Sequence, residues 1–238
     1  MPANPAVESI SAFFPCYNDA PTIATMVRTV EAALQKVVDD YEIIVVNDGS
    51  TDGSAQVLAA LAEELPLRVV THEMNGGYGA ALISGFTAAT KQWVFYTDGD
   101  AQYDASEVTD LVDVAGDQVD LVQGVKIGRG DPVHRRIIGR IYHHVVRVAF
   151  RLRVHDTDCD FRLIRRTALP ELHSTSGVIC VELMRRMQVA GARVVEVPVH
   201  HFERPHGRSQ FFRIPQLFRA AKGLAALWWS LMVRRDRG

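Results

Sequence analysis

Between residues 10 and 123, five short apolar runs alternate with four longer segments whose apolar residues recur at helical spacing. The runs are Ile10–Pro15, Glu42–Asn47, Arg68–His72, Trp93–Thr97 and Asp120–Gln123, and they read as short buried strands. Between them lie Thr22–Val38, Ser54–Leu65, Gly79–Thr90 and Ser106–Val114, with Pro21 and the Ser50/Thr51/Asp52 cluster as helix starts. This alternation predicts an α/β fold: a mostly parallel central sheet with helices on both faces.

The second half is less regular. Residues 125–134 read as a loop, His134–Phe150 as a helix with a basic side, and Asp160–Ile164 as a strand. Gly177–Ala190 reads as a helix and Arg193–Val199 as a strand. Arg204–Gln210 has no packing pattern and reads as a mobile loop. A C-terminal amphipathic helix is expected from Pro215 to about Met232. No repeat or Pro/Gly/Ser linker interrupts the chain, so a single domain over residues 1–238 is the economical reading.

Composition narrows the function classes. With 47% hydrophobic and 23% charged residues, wholesale disorder is excluded. Cys16, Cys159 and Cys180 are too scattered for a disulfide framework or a Cys-based zinc site, which points to a reducing, cytoplasmic compartment. No signal peptide is visible at the N-terminus. The longest apolar stretch, Leu224–Val233, is broken by Ser230 and falls short of the ~20 residues that span a bilayer. The net charge of −2 hides an asymmetry: residues 1–125 hold 19 Asp+Glu and 4 Lys+Arg, whereas residues 126–238 hold 9 and 22. A balance of −15 against +13 bears on partners more than on fold.

In an open parallel sheet, ligands sit beyond the carboxyl ends of the strands. Four consecutive strand ends here carry polar turns: Cys16-Tyr17-Asn18-Asp19, Asn47-Asp48-Gly49-Ser50, Asn75-Gly76-Gly77-Tyr78-Gly79 and Asp98-Gly99-Asp100-Ala101-Gln102. Any one of them is ordinary turn chemistry. Residues alternating out of a strand would put Asp98, Asp100 and Gln102 on one side. Three hard oxygen donors suit Mg²⁺ or Mn²⁺, which keep waters and also bind a diphosphate. The Gly76–Gly79 run opens a helix, where backbone amides could meet an anion. It is neither a dinucleotide fingerprint, because Leu82 stands where Gly or Ala is needed, nor a P-loop.

Taken together, Phe14–Asp19, Val45–Ser54, Asn75–Ala80 and Thr97–Gln102 resemble the successive motifs of family 2 glycosyltransferases, which have the GT-A fold. The resemblance covers roughly residues 9–125. Asp158–Arg162, Val181–Leu183, Val197-Pro198 and Arg204–Ser209 are most similar to the polyprenyl-phosphate branch typified by dolichol-phosphate mannose synthase. That likeness makes residues 1–125 a nucleotide-sugar- and metal-binding half and residues 126–238 a basic, acceptor-binding half.

The resemblance also implies roles. Pro15, Tyr17, Asn18, Asp19, Asp48, Gly76, Asp98 and Gly99 would bind the nucleotide-sugar, with Asp48 accepting a hydrogen bond from the base. Asp98, Asp100 and Gln102 would hold Mg²⁺ or Mn²⁺. Asp100, Asp160 and Arg162 would be catalytic. Lys126, Arg129, Arg204 and Ser209 would bind acceptor or diphosphate, with Arg162 also on phosphate. Asn47 and Asp19 stand where the family often has Asp and Glu, and Tyr78 where Lys is frequent. Gln210 replaces a common Lys.

The implied reaction is an inverting transfer of one sugar from a UDP- or GDP-sugar to a polyprenyl phosphate. A metal ion stabilises the departing nucleoside diphosphate. A phosphate nucleophile is already ionised at neutral pH, whereas a hydroxyl acceptor needs a general base such as Asp158, Asp160 or Glu182. A hydroxyl acceptor therefore stands as one alternative, and a non-catalytic nucleotide-sugar-binding partner as another. The expected location is peripheral, on the cytoplasmic face of a membrane. His134–Phe150 carries Arg135, Arg136, Arg140 and Arg147 beside apolar residues, and the final helix is aromatic and ends in arginines. No nucleic-acid motif accompanies these arginines, so nucleic acid is not an expected partner.

Overall fold

The computed structural model describes residues 4–128, 133–204 and 214–234. Its centre is a seven-stranded sheet: β1 (Ser9–Cys16), β2 (Asp40–Asp48), β3 (Leu67–His72), β4 (Trp93–Thr97), β5 (Leu121–Ile127), β6 (Phe161–Arg165) and β7 (Val194–His200). Seven helices surround it: α1 (Ile23–Leu34), α2 (Ser54–Glu64), α3 (Tyr78–Ala88), α4 (Val108–Val114), α5 (Val133–Ala149), α6 (Ile179–Val189) and α7 (Ile214–Trp228). A π-helical turn, Trp229–Arg234, continues α7.

The strand order is β3-β2-β1-β4-β6-β5-β7. All neighbours pair in parallel except β6, which runs antiparallel to both β4 and β5. Alternate residues of the central strands feed two cores. Ile10, Ala12 and Phe14 of β1, Trp93 and Phe95 of β4, and Phe161 and Leu163 of β6 join the core beneath α1, α2 and α4. Phe13, Ile44, Val94, Tyr96 and Ile164 face the opposite core with residues of α3, α5 and α6. Two-sided burial explains why these strands read as continuous apolar runs and not as alternations.

This order positions the site. The chain leaves β1 toward β2 on one side and β4 on the other, so the crevice between β1 and β4 is the topological switch point. Because β6 is reversed, its amino end lies at the carboxyl edge of the parallel strands, with Phe161 opposite Thr97. Asp158 and Asp160 thereby reach the edge that carries Asp98 and Asp100.

Most sequence-based boundaries shift by one or two residues, as β2 and α3 do, and α1 and β5 shift by more. The helix expected over Thr22–Val38 stops at Leu34, and residues 35–38 close it with short-range turns onto Glu31, Ala33 and Leu34. β5 runs on to Ile127 where a loop was expected from residue 125, because β7 pairs with it all the way to His200. The β6 strand starts at Phe161, one residue later than expected, and ends at Arg165. Arg129, Ser209 and most of the loop expected over residues 204–210 lie outside the described residues.

Candidate active site

The turns after β1 and β2 are stitched to each other by side chains on backbone. Asn18, at φ 59°, takes the amide of Thr51 on its Oδ1 at 2.8 Å. Its own amide donates to Ser50 Oγ at 3.1 Å. Asp19 Oδ2 accepts the Tyr17 amide at 3.1 Å, and the Asp19 amide donates to Ser54 Oγ. Tyr17 is left 42% exposed, available to a ligand lying over the turn.

Asp48 is buried at the end of β2, and its carboxylate is already engaged. Oδ1 accepts the Gly76 amide at 2.8 Å and faces His72 Nδ1 at 2.6 Å, while Oδ2 accepts the Gly77 amide at 2.9 Å. His72 Nε2 in turn lies 2.8 Å from Ser84 Oγ. Two adjacent amides thus converge on one carboxylate, a local anion-binding loop filled by the protein's own acid. The Gly79 amide is likewise taken, by Thr175 O at 3.0 Å. The expectation that the Gly76–Gly79 run cradles an external anion is corrected here: its partners are Asp48 and Thr175.

The glycines are required by this packing. Gly77 sits at φ 92°, a left-handed conformation that favours glycine. A Cβ on Gly79 would stand 2.2 Å from Ser174 O. The segment crossing there is anchored by Glu182, whose carboxylate accepts from the His173 and Ser174 amides and pairs with Arg186 Nε at 2.8 Å. Glu182 is 1% exposed, so its oxygens are spent on structure and it does not serve as a base.

Asp98 and Asp100 behave differently. β4 ends at Thr97 and Ala101 has φ 60°, so extended alternation does not continue into this turn. Asp100 is 6% exposed, and Asp98 is partly buried. Gly99, between them in sequence, is buried, and its carbonyl accepts from Thr22 Oγ1 at 2.8 Å. The Tyr78 phenol donates to Asp98 Oδ1 at 2.7 Å, and Arg204 pairs with Asp100 Oδ2. Gln102 turns its amide nitrogen to Phe202 O at 3.2 Å, which leaves only its Oε1 on offer.

Burial raises the pKa of Asp98 well above the usual carboxylate range, and the charges of Asp160 and Asp100 push it further. Burial raises Asp100 as well, against the pull of Arg204. Asp19 is pushed up to about 6, again chiefly by burial and with Asp100 adding to it. A crowd of carboxylates that raise one another is a place where a cation is favoured. Among the described residues no group of three or more His, Cys, Asp or Glu forms a metal cage. A divalent ion here would therefore take one or two carboxylates and fill its remaining positions from a diphosphate and water, the habit of Mg²⁺ and Mn²⁺. The donor set fits such an ion.

Asp160 completes the edge. Its Oδ1 accepts from Arg162 Nη1 at 2.8 Å and from the Cys180 thiol at 3.0 Å. Arg162 is fully enclosed and donates also to Gln123 Oε1, Thr157 O and the Tyr96 phenol. The expected contact of Arg162 with phosphate is corrected accordingly: with no exposed surface, Arg162 orients Asp160 and braces β4, β5 and β6. Lys126 is also tucked in, its Nζ on Asp158 O at 2.5 Å and near Asp156 at 3.9 Å, so it shapes the 156–158 turn. Pro15 stands at the β1 end with its carbonyl against Gly99.

The partnerships of His72, Tyr78 and Arg204 were not legible in sequence. They join residues from β3, α3 and the chain after β7 to strand-end acids, and no local spacing encodes them. Two of the three gave a signal of another kind: Tyr78 as a departure from the family pattern, and Arg204 as an expected phosphate ligand, not as the partner of Asp100.

Against known proteins, the chain is 30% identical over 211 residues to undecaprenyl-phosphate 4-deoxy-4-formamido-L-arabinose transferase of Enterobacter sp. (strain 638), covering 87% of this chain and 63% of that protein. The enzyme of the same name from Yersinia enterocolitica serotype O:8 is 29% identical over 216 residues, covering 89% and 65%. The chain thus spans just under two thirds of the length of these curated relatives. Among solved structures, glucosyl-3-phosphoglycerate synthase from Mycobacterium tuberculosis, in complex with Mn²⁺, UDP and glucosyl-3-phosphoglycerate, superposes with a TM-score of 0.71. It is 20% identical and covers 94% of this chain and 79% of that one, a likeness of fold that agrees with the expected GT-A architecture. The family model described as glycosyl transferase family 2 matches residues 11–172, a span that takes in every strand-end turn described above. By strand order, by the placing of its acids and by that match, the chain belongs to glycosyl transferase family 2.

Proposed function

We propose that this chain transfers a sugar from a UDP- or GDP-sugar to a polyprenyl phosphate with inversion, using Mg²⁺ or Mn²⁺. The observation that carries the reading is the Asp98–Asp100 turn: two shielded, mutually repelling carboxylates at the switch point between β1 and β4. A bound divalent ion supplies charge stabilisation to the departing diphosphate. The chain's own residues supply the rest. Tyr17 and the Asn18–Asp19 turn border the base side, while Asp48 keeps the 75–79 loop in place beside it. Asp160, oriented by Arg162, lies on the sugar and acceptor side of the two metal-binding acids.

The relatives named above act, by their names, on undecaprenyl phosphate, which supports a lipid-phosphate acceptor here. Exposed apolar side chains support work at a membrane surface: Ile141, Val145 and Val148 on α5, and Trp229 and Val233 past the end of α7. α7 reaches α5 through Trp228 Nε1 on Ala149 O at 3.1 Å. Among the described residues no helix is long and apolar enough to cross a membrane. One observation favours a hydroxyl acceptor: Asp158, pushed up to about 6 mainly by burial, is poised to accept a proton.

The deciding experiment incubates the protein with labelled nucleotide-sugars, Mn²⁺ and either undecaprenyl phosphate in liposomes or soluble sugars. Labelled lipid is the expected product. Transfer to soluble acceptors alone would move the assignment to the hydroxyl reading. Donor binding without transfer or hydrolysis would make the chain a nucleotide-sugar-binding partner.

A further inference from the structure

We propose that Arg204 is a built-in counter-cation for Asp100, holding the place of the divalent metal until the metal and donor displace it. The inference rests on the metal-dependent reading above. Asp100 is nearly enclosed, its side chain 7% exposed, and the Arg204 guanidinium pairs with its Oδ2. The surroundings explain why a cation is needed there. Asp98, Asp160 and Asp19 all lie close enough to interact with Asp100 or with one another, and the other nearby guanidinium, that of Arg162, is committed to Asp160. A buried acid without a partner would be costly to keep ionised.

The backbone fixes Arg204 in this position. The Phe202 amide donates to Gln102 O at 2.8 Å, Gln102 Nε2 returns to Phe202 O, and Tyr103 bridges His201. These bonds align residues 201–204 along the 100–103 turn, so Arg204 and any metal address the same carboxylate. The Arg204 side chain keeps 32% exposure, so the exchange needs no unpacking of the core. A metal ion arriving with a diphosphate brings both halves of the swap: the cation takes Asp100, and the released guanidinium meets a phosphate in the bidentate geometry it favours. Metal binding and diphosphate binding then reinforce each other by mass action.

The test is direct Mn²⁺ binding, read by electron paramagnetic resonance and by calorimetry, on the full chain with and without UDP. R204Q is expected to bind Mn²⁺ alone about tenfold more tightly than the unmodified protein, because the competing charge is gone. UDP is expected to tighten Mn²⁺ binding less in R204Q than in the unmodified protein. R204K, which keeps a charge, is expected to behave like the unmodified protein toward Mn²⁺ alone. Circular dichroism of both variants checks the fold. Equal or weaker Mn²⁺ binding by folded R204Q would overturn this role for Arg204 while leaving the metal site standing. No Mn²⁺ binding to either protein, even with UDP, would overturn the metal-dependent reading and this inference with it.

Discussion

Two acid-bearing turns at the same sheet edge have been put to opposite uses. At the end of β2, Asp48 is spent inward: two glycine amides and His72 take its oxygens, and the 75–79 loop folds around it. At the end of β4, Asp98 accepts from Tyr78, Asp100 pairs with Arg204 and accepts one backbone amide, that of Gln102, and the two acids repel each other and Asp160. A carboxylate that accepts several backbone bonds stabilises the fold, whereas carboxylates crowded together repel one another and hold their protons more tightly, an arrangement that a cation relieves. The same residue type after the same kind of strand is thus satisfied by its own backbone in one turn and left crowded in the other, which is the contrast the proposed metal site draws on.

The sharpest way to break that contrast is Asp100→Ala. Transfer should fall about a thousandfold, roughly 4 kcal/mol of transition-state stabilisation. Stability in urea should hold or rise, because a repulsion is removed. A clear loss of unfolding midpoint with activity retained would place Asp100 with the scaffold instead. Asp48→Ala is the mirror experiment. It strands two amides and a histidine, and should cost about 3 kcal/mol of unfolding free energy. Unchanged stability would show that the loop stands without its acid.

Gly79→Ala probes the same scaffold from the other side. The added methyl group meets Ser174 O at 2.2 Å and also Thr175 C and Ser176 N, all of them backbone atoms. Relieving that contact should cost about 2 kcal/mol. The variant Gly116→Ala, where nothing lies within 4 Å, is the control that should change stability little. Equal behaviour of the two would mean that the 173–175 segment gives way freely.

The contrast also explains what could be read in advance. Strand and helix positions in residues 10–123 follow from local periodicity, because β1, β2 and β4 are buried on both faces and each helix on one, whereas the edge strand β3 has no fully buried residue and reads more weakly. The polar turns at their ends followed from the same pattern, and the motif order gave the family. Which acid is scaffold did not, since that depends on Gly76, Gly77, His72 and Thr175 converging from separate elements. Arg162 misled for a related reason: an arginine beside Asp160 reads as a phosphate ligand until β4, β5 and β6 are seen to close over it. β5 ran past its expected end because β7, more than sixty positions later, pairs with Lys126 and Ile127.

The smallest expected effect tests whether crowding extends beyond the β4 turn, to Asp158 at the amino end of β6. Burial pushes this carboxyl up to about 6 in the folded chain, from an unfolded value of about 3.9. The folded state therefore holds the proton more tightly. This favourable contribution is fully present below pH ~4 and is lost as pH rises through about 6. Asp158→Asn cannot ionise, so it should match the unmodified protein near pH 4 and exceed it by about 1 kcal/mol at pH 7, a figure reduced for the partial exposure of the side chain. Urea unfolding of both proteins across that range reads the difference. A variant less stable at pH 7 would show that Lys126 and its neighbours make the Asp158 charge part of the scaffold, on the Asp48 side of the comparison.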